Sequence, residues 1–361
     1  MAPTLDSQAR APLAPLGDAP RVLVVRTGAI GDVVNALVFA DAVRRARPDA
    51  HIGWVAHPLV APLLVGNPAV DAVHVWPRGS GWRGVRALLG ALRGARYDLA
   101  VDLQRLQKSA LVARLSGAPR VLGYDRGRAK ELSHLWTKEH IAPGDPRAHM
   151  VDQYREFARA LGLPTAAPRW PLPPLDEARA QASRALAPLA GAPFVVLNLG
   201  ASKAENRWAP EHFAALADRR TGAAPAMVLT GGPGDRDAAD RVLRATRNIA
   251  LDLVGRTGLL ELAAVLERAR CVVTGDTGPM HLAVAVGAPV LALFGPADPK
   301  RTGPYGAPHH DAPPAASNQT SATSTVLRVP PWDGTFVPTA TLEALHPEIV
   351  SEALQTCISR G

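Results

Sequence analysis

Short, nearly continuous apolar runs alternate along the chain with longer stretches whose apolar positions recur every three or four residues. The short runs fall at 22–25, 52–56, 73–76, 99–103 and 121–124, and again at 194–199, 226–229, 250–253, 271–274 and 290–294. Their length and β-branched content predict strands buried on both faces. The longer stretches, at 32–47, 82–93, 210–220, 235–247 and 259–269, read as amphipathic helices. Strand and helix in alternation predict an α/β fold of parallel sheets covered on both sides. Leu172-Pro173-Pro174 breaks the alternation inside a proline-rich stretch, 162–193, that holds one helical piece over 176–189. The expected organisation is a disordered lead over 1–20, a first half over 21–165, a linker over 166–192 and a second half over 193–340. A last helix over 341–357 lies in a closing segment, 341–361, and the Ser/Thr/Pro/Ala-rich stretch 312–325 reads as a loop. Parallel sheets bind ligands at the carboxyl ends of their strands, so two facing halves imply an interdomain cleft.

Composition narrows the class. A chain of 361 residues with 47% hydrophobic content supports about two domains with a large core. It has two cysteines, Cys271 and Cys357. One lies in a predicted buried strand, which argues against a disulfide framework and fits a reducing compartment. No apolar run of about 18 residues predicts a membrane span, and the Ala/Pro-rich start lacks a signal core. The formal net charge of +8 suits nucleic acid, an anionic membrane surface or anionic small substrates. Scattered basic residues, 5% aromatics and the lack of a helix-turn-helix or RNA-binding signature argue against nucleic acid.

Four glycine-rich turns follow predicted strands. Arg26-Thr27-Gly28-Ala29-Ile30-Gly31-Asp32 permits a tight turn, with Asp32 where a helix begins. Asp32 is either an acid that complements the helix dipole or a carboxylate that takes a proton from an incoming hydroxyl. Gly200-Ala201-Ser202-Lys203-Ala204-Glu205-Asn206-Arg207-Trp208 combines small residues with cations, as a phosphate-binding loop or an ordinary solvated one. Trp208 reads as a packing anchor. Leu229-Thr230-Gly231-Gly232-Pro233-Gly234-Asp235 leads into Asp235-Arg236-Asp237, which has D-x-D spacing. Acids in a first helical turn complement its dipole, and no metal is expected there. Asp276-Thr277-Gly278-Pro279-Met280-His281 joins the run 271–274 to a helical pattern. Gly278 permits close backbone approach, Pro279 suits a first turn, and the free N–H groups with the positive dipole end make a phosphate cradle. His281 is a satisfied buried histidine or a ligand contact. Neither G-x-S-x-G, a P-loop nor G-x-G-x-x-G occurs, which disfavours a serine hydrolase, an ATP-driven kinase and a dinucleotide-dependent dehydrogenase. Arg126, Arg128 and Lys130 follow the run 121–124 and suit a phosphorylated acceptor, an anionic leaflet or a solvated basic loop.

Downstream stands Phe294-Gly295-Pro296-Ala297-Asp298-Pro299-Lys300-Arg301-Thr302-Gly303-Pro304-Tyr305-Gly306. In order and spacing these motifs resemble glycosyltransferase family 9, the lipopolysaccharide heptosyltransferases, from residue 21 to about 306. The resemblance implies a GT-B architecture, two Rossmann-like domains around a cleft. It implies inverting, metal-independent transfer of heptose from ADP-heptose to an anionic glycolipid of the lipopolysaccharide inner core, with no cofactor beyond the nucleotide-sugar donor. Asp32 matches the family's general base. Ser202, Asp276, Thr277, Gly278 and His281 match positions that hold the donor's diphosphate and sugar. Arg256, in Val254-Gly255-Arg256-Thr257, matches a nucleoside contact, and Asp235 an acid near the ribose. Asn206 stands where members usually carry lysine before Arg-Trp, so Lys203, with Arg207, is left to neutralise the leaving diphosphate. The first half, through Arg126, Arg128 and Lys130, is expected to meet the acceptor. The implied location is cytoplasmic, with peripheral contact at the inner membrane. The alternatives are a relative using another nucleotide sugar and a nucleotide-binding protein without transfer activity.

Overall fold

The computed structural model describes residues 13–76, 79, 81–219, 224–307, 324–328 and 342–360. Strands β1 (Arg21–Val25), β2 (His51–Ala56), β3 (Ala72–Val75), β4 (Leu99–Asp102), β5 (Arg120–Gly123) and β6 (Glu139–His140) form one sheet in the order β3-β2-β1-β4-β5-β6. Strands β7 (Phe194–Asn198), β8 (Ala226–Thr230), β9 (Ile249–Asp252), β10 (Cys271–Gly275), β11 (Val290–Phe294) and β12 (Thr325–Arg328) form another, ordered β12-β11-β10-β7-β8-β9. Counted from its own first strand, the second sheet repeats the order of the first. The pairings are parallel throughout.

Burial on both faces explains the uninterrupted apolar runs. Helices α1 (Ile30–Ala46), α2 (Gly81–Gly94), α3 (Gln107–Leu115) and α4 (Met150–Ala160) cover the first sheet. Val22 and Val24 pack with α1 and α4, while Leu23 and Val25 pack with α2 and α3 on the other side. In the second half come α5 (Asp176–Ala185), α6 (Pro210–Asp218), α7 (Arg236–Ala245), α8 (Leu259–Glu267), α9 (Gly278–Ala285), α10 (Pro299–Thr302) and α11 (Pro347–Arg360). Phe194 and Val196 meet α5, α8 and α9, and Val195 and Leu197 meet α6, α7 and α11. Trp208 is the packing anchor expected of it: buried, with its indole N–H donating to the Leu345 carbonyl at 2.8 Å. Among the described residues no helix is long and apolar enough to cross a membrane.

Some expectations change. Residues 1–12 of the expected lead lie outside the described residues, but 13–20 are laid against the first half. Leu16 is buried, and Arg47 donates to the Leu16 and Gly17 carbonyls, so a short apolar foothold orders that stretch. Of the expected loop 312–325, residues 312–323 lie outside the described residues, and Thr325 opens an edge strand on β11. Within the expected linker, α5 buries Ala178 and Ala182 in the core of the second half. The halves meet where α1 packs on α9 and where Tyr305 reaches α4, its hydroxyl donating to Asp152 at 2.9 Å.

Candidate active site

The first wall of the cleft is the turn from β1 into α1. Its shape is fixed from beneath. Trp54 Nε1 donates to the Arg26 carbonyl at 2.9 Å, and Thr27 donates both its N–H and its hydroxyl to Gln104 Oε1, each at 2.8 Å. The chain then enters α1 with Asp32 in its first turn. The Asp32 carboxylate pairs with the buried Arg26 guanidinium and accepts a long hydrogen bond, 3.4 Å, from the Ala29 N–H. Its side chain keeps 35% exposure, so one face of the carboxylate stays open. Burial is the largest influence on Arg26 and opposes its charge, but Asp32, with Tyr154 and Tyr124, together more than offset it and the guanidinium pKa is raised.

The second wall is the turn from β10 into α9. Thr277 caps that helix, accepting from the Met280 N–H at 3.3 Å. Pro279 carries no N–H, so Gly278 supplies the amide that the first turn leaves without an intrahelical partner. Beneath it, Asn198 Nδ2 donates to the Thr274 hydroxyl, which meets the Thr277 hydroxyl at 2.9 Å. Thr302 donates to the Asp276 carboxylate at 3.2 Å, and burial pushes the Asp276 pKa up to about 6. Ser202 and Lys203 are exposed on the loop after β7, whereas Asn206 is buried and donates to the Asp276 carbonyl at 3.4 Å.

Both walls line one cleft of about 610 Å³. Asp32 and Gly31 from the first half face Ser202, Lys203, Asn206, Asp276, Thr277, Gly278 and His281 from the second. The approach is close because glycine allows it. A Cβ on Gly278 would stand 2.6 Å from the Ile30 Cβ, and one on Gly31 would collide with the His281 ring. His281 is buried, and burial, aided by repulsion from His149, pushes its pKa down to about 4. It is therefore neutral near pH 7. Asn35 Nδ2, a donor only, lies 3.3 Å from His281 Nδ1, so the ring proton sits on Nε2. Lys130, Lys203, Arg105 and Arg301 crowd the same cleft. The Lys130 pKa is lowered by burial first, then by repulsion from Arg105, Arg301 and Lys203. Four cations held together in this way make a site for an anion.

Three of the expected donor residues sit elsewhere on the same sheet edge. Arg207 is exposed, donates to the Ala201 carbonyl at 3.0 Å and approaches Asp235 at 3.7 Å. Asp235 accepts from the Gly232 N–H at 2.8 Å, a first-turn acid as expected. Arg256 is exposed beyond β9. All three follow carboxyl ends of strands, outside the cleft lining. The acceptor cluster needs correction. Arg128 is buried, bonded to Asp125 at 2.5 Å, Glu156 at 2.6 Å and the Ala142 carbonyl at 2.9 Å, and holds loop to helix rather than ligand. Arg126 is exposed outside the cleft lining, and only Lys130 of the three lines it. Not singled out from sequence were Arg26, Gln104, Arg105, Arg301 and Thr302. Their one sequence signal is position: each directly follows a strand end or falls within a quoted motif.

A family model described as Glycosyltransferase family 9 (heptosyltransferase) matches residues 85–321. Lipopolysaccharide heptosyltransferase 1 of Pseudomonas aeruginosa is 33% identical over 310 residues, covering 79% of this chain and 81% of that protein. The solved glycosyl transferase family 9 protein from Veillonella parvula superposes with a TM-score of 0.83 at 23% identity, covering 97% of this chain and 100% of that one, and speaks for the fold. The ADP-heptose lps heptosyltransferase II of E. coli superposes with a TM-score of 0.75 at 25% identity, covering 94% and 99%. With two Rossmann-like sheets of equal strand order opening their carboxyl edges onto a shared cationic cleft, the chain belongs to glycosyltransferase family 9 and is a glycosyltransferase of GT-B architecture.

Proposed function

We propose that the protein moves heptose from ADP-heptose onto an anionic inner-core acceptor of lipopolysaccharide, by one in-line inverting displacement that uses no metal ion. The names of its relatives support donor and acceptor: lipopolysaccharide heptosyltransferase in one, ADP-heptose in another. The observation that carries the reading is the meeting of Asp32, from one half, with the Thr277–His281 turn, from the other, across a single cleft.

Such a displacement has two needs. The acceptor hydroxyl must shed a proton as it attacks, and the departing diphosphate must be stabilised as charge builds on it. Asp32 is the base, its carboxylate oriented by Arg26. The Gly278 amide, the Ser202 and Thr277 hydroxyls and the neutral His281 Nε2–H are donors toward the diphosphate and sugar. Lys203 and Arg301 supply positive charge. Arg207, Asp235 and Arg256 serve the nucleoside end, and Lys130 the acceptor. The lipid part of the acceptor brings the first half to the cytoplasmic face of the inner membrane.

The test is Asp32→Asn, assayed with ADP-heptose and a lipid A–Kdo acceptor. ADP affinity by calorimetry should stay within about twofold, while turnover falls about 10²–10⁴-fold. Wild-type turnover in that variant rejects the base assignment. Tight ADP binding by the wild type without any sugar transfer would instead favour a non-catalytic nucleotide-binding protein.

A further inference from the structure

We propose that Tyr305 is a positioning residue for the diphosphate site: seated on the first half, it holds Arg301 of the second half in the cleft. The ligand is the diphosphate of the proposed function, so the assignment rests on that reading.

The segment that carries both residues crosses between the halves. It leaves β11 in the second half, forms the single turn α10 and ends against α4 of the first half. Tyr305 belongs by sequence to the second half, yet its ring packs on the hydrophobic core of the first, together with Trp170 of the connecting stretch. The two rings meet edge to face with centroids 5.9 Å apart, and the His149 ring meets Tyr305 in the same manner at 4.9 Å. The hydroxyl completes the seat. It donates to Asp152 at 2.9 Å and accepts from Arg155 at 3.3 Å. Arg155 is itself held by Asp152 and by the Thr165 and Ala166 carbonyls. Burial first, then Asp152, push the Tyr305 pKa up to about 12, so the hydroxyl stays a donor at neutral pH.

A second tie lies two residues earlier. His149 Nε2 stands 3.0 Å from the Gly303 carbonyl, and its Nδ1 accepts from the Val151 N–H at 3.2 Å. A carbonyl only accepts, so the tautomer with its proton on Nε2 satisfies both bonds at once. The turn at Gly303 is tight. Its N–H closes α10 on the Pro299 carbonyl at 2.8 Å, and a Cβ there would stand 2.5 Å from that oxygen.

Between these ties and β11 stand Arg301 and Thr302, both lining the cleft. Thr302 is fixed by its bond to Asp276, but Arg301 is anchored far more lightly. Among the described residues no acid lies within ion-pair distance of its guanidinium. The hydrogen bond it makes there is to the Met150 sulfur at 3.3 Å, a weak acceptor at the start of α4. A long cation held so lightly keeps its charge for an incoming anion, but takes its direction from its own backbone. Register matters as well, since Lys300, one residue earlier, is exposed and outside the cleft lining. The far end of that backbone is fixed by the first half, so the first half completes a site built mainly on the second. A plain clamp between the halves would add its effect to that of any other substitution. A positioning residue acts only while the group it positions is present.

The experiment measures ADP affinity by calorimetry on the full-length wild type, Tyr305→Phe, Arg301→Gln and the double variant. Tyr305→Phe keeps the ring contacts and removes only the hydroxyl, and Asp152 retains Arg155. It should weaken ADP binding by about fivefold, the scale of one hydrogen bond. Arg301→Gln should weaken it by about tenfold, and adding Tyr305→Phe to that variant by no more than about twofold further. His149→Ala should also weaken binding, and His149→Gln, whose amide can still donate to the Gly303 carbonyl, should recover most of the loss. Thermal unfolding midpoints read the clamp, and Tyr305→Phe should shift them equally with Arg301 present or replaced. Wild-type ADP affinity in Tyr305→Phe, or a fivefold loss that persists in the Arg301→Gln background, would overturn the proposal. So would a wild type that binds no ADP. Heptose transfer, assayed alongside, separates the two readings. The expected coupling without any transfer would defeat the proposed function and leave the role of Tyr305 standing, and transfer with additive losses would do the reverse.

Discussion

Asn206 spends its side-chain donor on the Asp276 carbonyl, while Lys203 stands exposed in the same cleft. Lys203 directly precedes the short turn Ala204–Asn206, which places it and Asn206 on one cleft lining. Lys203→Ala should weaken ADP binding by about tenfold, the scale of one charge-assisted contact. Adding Asn206→Lys to that variant should restore most of the affinity, since both positions line one space. An unchanged ADP affinity in Lys203→Ala by calorimetry would assign Lys203 to the solvated surface. Asp276 gives a second expectation. Its folded pKa, about 6, is above the unfolded value, so its protonated form is favoured in the fold. The stability this lends is complete below about pH 4 and is lost as pH rises through about 6. On the proposed function, a diphosphate bound at the Thr277–His281 turn would add negative charge beside Asp276 and raise its pKa further. Binding of ADP-ribose, whose diphosphate diester does not titrate there, should take up a proton near pH 6.5. Calorimetry in buffers of different ionisation enthalpy reads that uptake, and Asp276→Asn should abolish it. Arg128 marks a limit of sequence at this scale: three cations in five residues look alike in a string. Asp125, three residues earlier, is in view in the string, but Glu156 of the distant helix α4 is not, and together they decide that one of the cations is consumed by the structure.

Helices α1 and α9 join the halves beside the cleft, and they meet through glycine. From sequence alone the motif glycines signify tight turns and close approach to a phosphate. At Gly31 and Gly278 the nearer constraint is the partner helix, some 250 residues away in sequence, which no local pattern reveals. Gly278→Ala would place a Cβ 2.6 Å from the Ile30 Cβ, against an ordinary contact of 3.4–4 Å, and must push the helices apart. A misplacement of about 1 Å costs on the order of 10²-fold in turnover. Turnover should fall by that much in Gly278→Ala with ADP affinity nearly unchanged, and adding Ile30→Ala should recover most of it. A double variant as slow as the single one would show that Gly278 acts by another route. Elements with apolar runs were legible because parallel strands buried on two faces need them. The edge strand Glu139–His140 was not, since two half-buried polar residues at a sheet edge carry no apolar signal. Helix α4 was within reach: Val151, Tyr154, Phe157 and Ala158 repeat at helical spacing and are all buried.

At the scale of the molecule, the charge of +8 matters through its placement. Lys130, Lys203, Arg105 and Arg301 share one cleft, and the acids that face them there are Asp32 and Asp276. Asp32 already pairs with Arg26, so the balance in the cleft stays positive. Burial first, and then repulsion among these cations, lowers the Lys130 and Arg301 pKa values, and the repulsive part is relieved when an anion enters. Composition could report the surplus but not its focus, which arises because two sheets turn their carboxyl edges toward each other. Salt should therefore act on binding more than on chemistry. Raising ionic strength from about 0.1 M to about 1 M shortens the Debye length from about 10 Å to about 3 Å. Donor kcat/KM should fall by about tenfold or more across that range while kcat changes little, because screening weakens the long-range attraction that brings the donor in more than the short-range contacts made once it is bound. Lys130→Gln should give a shallower slope of log kcat/KM against log salt than the wild type. Equal slopes in the two proteins would place Lys130 outside the field that draws the donor in.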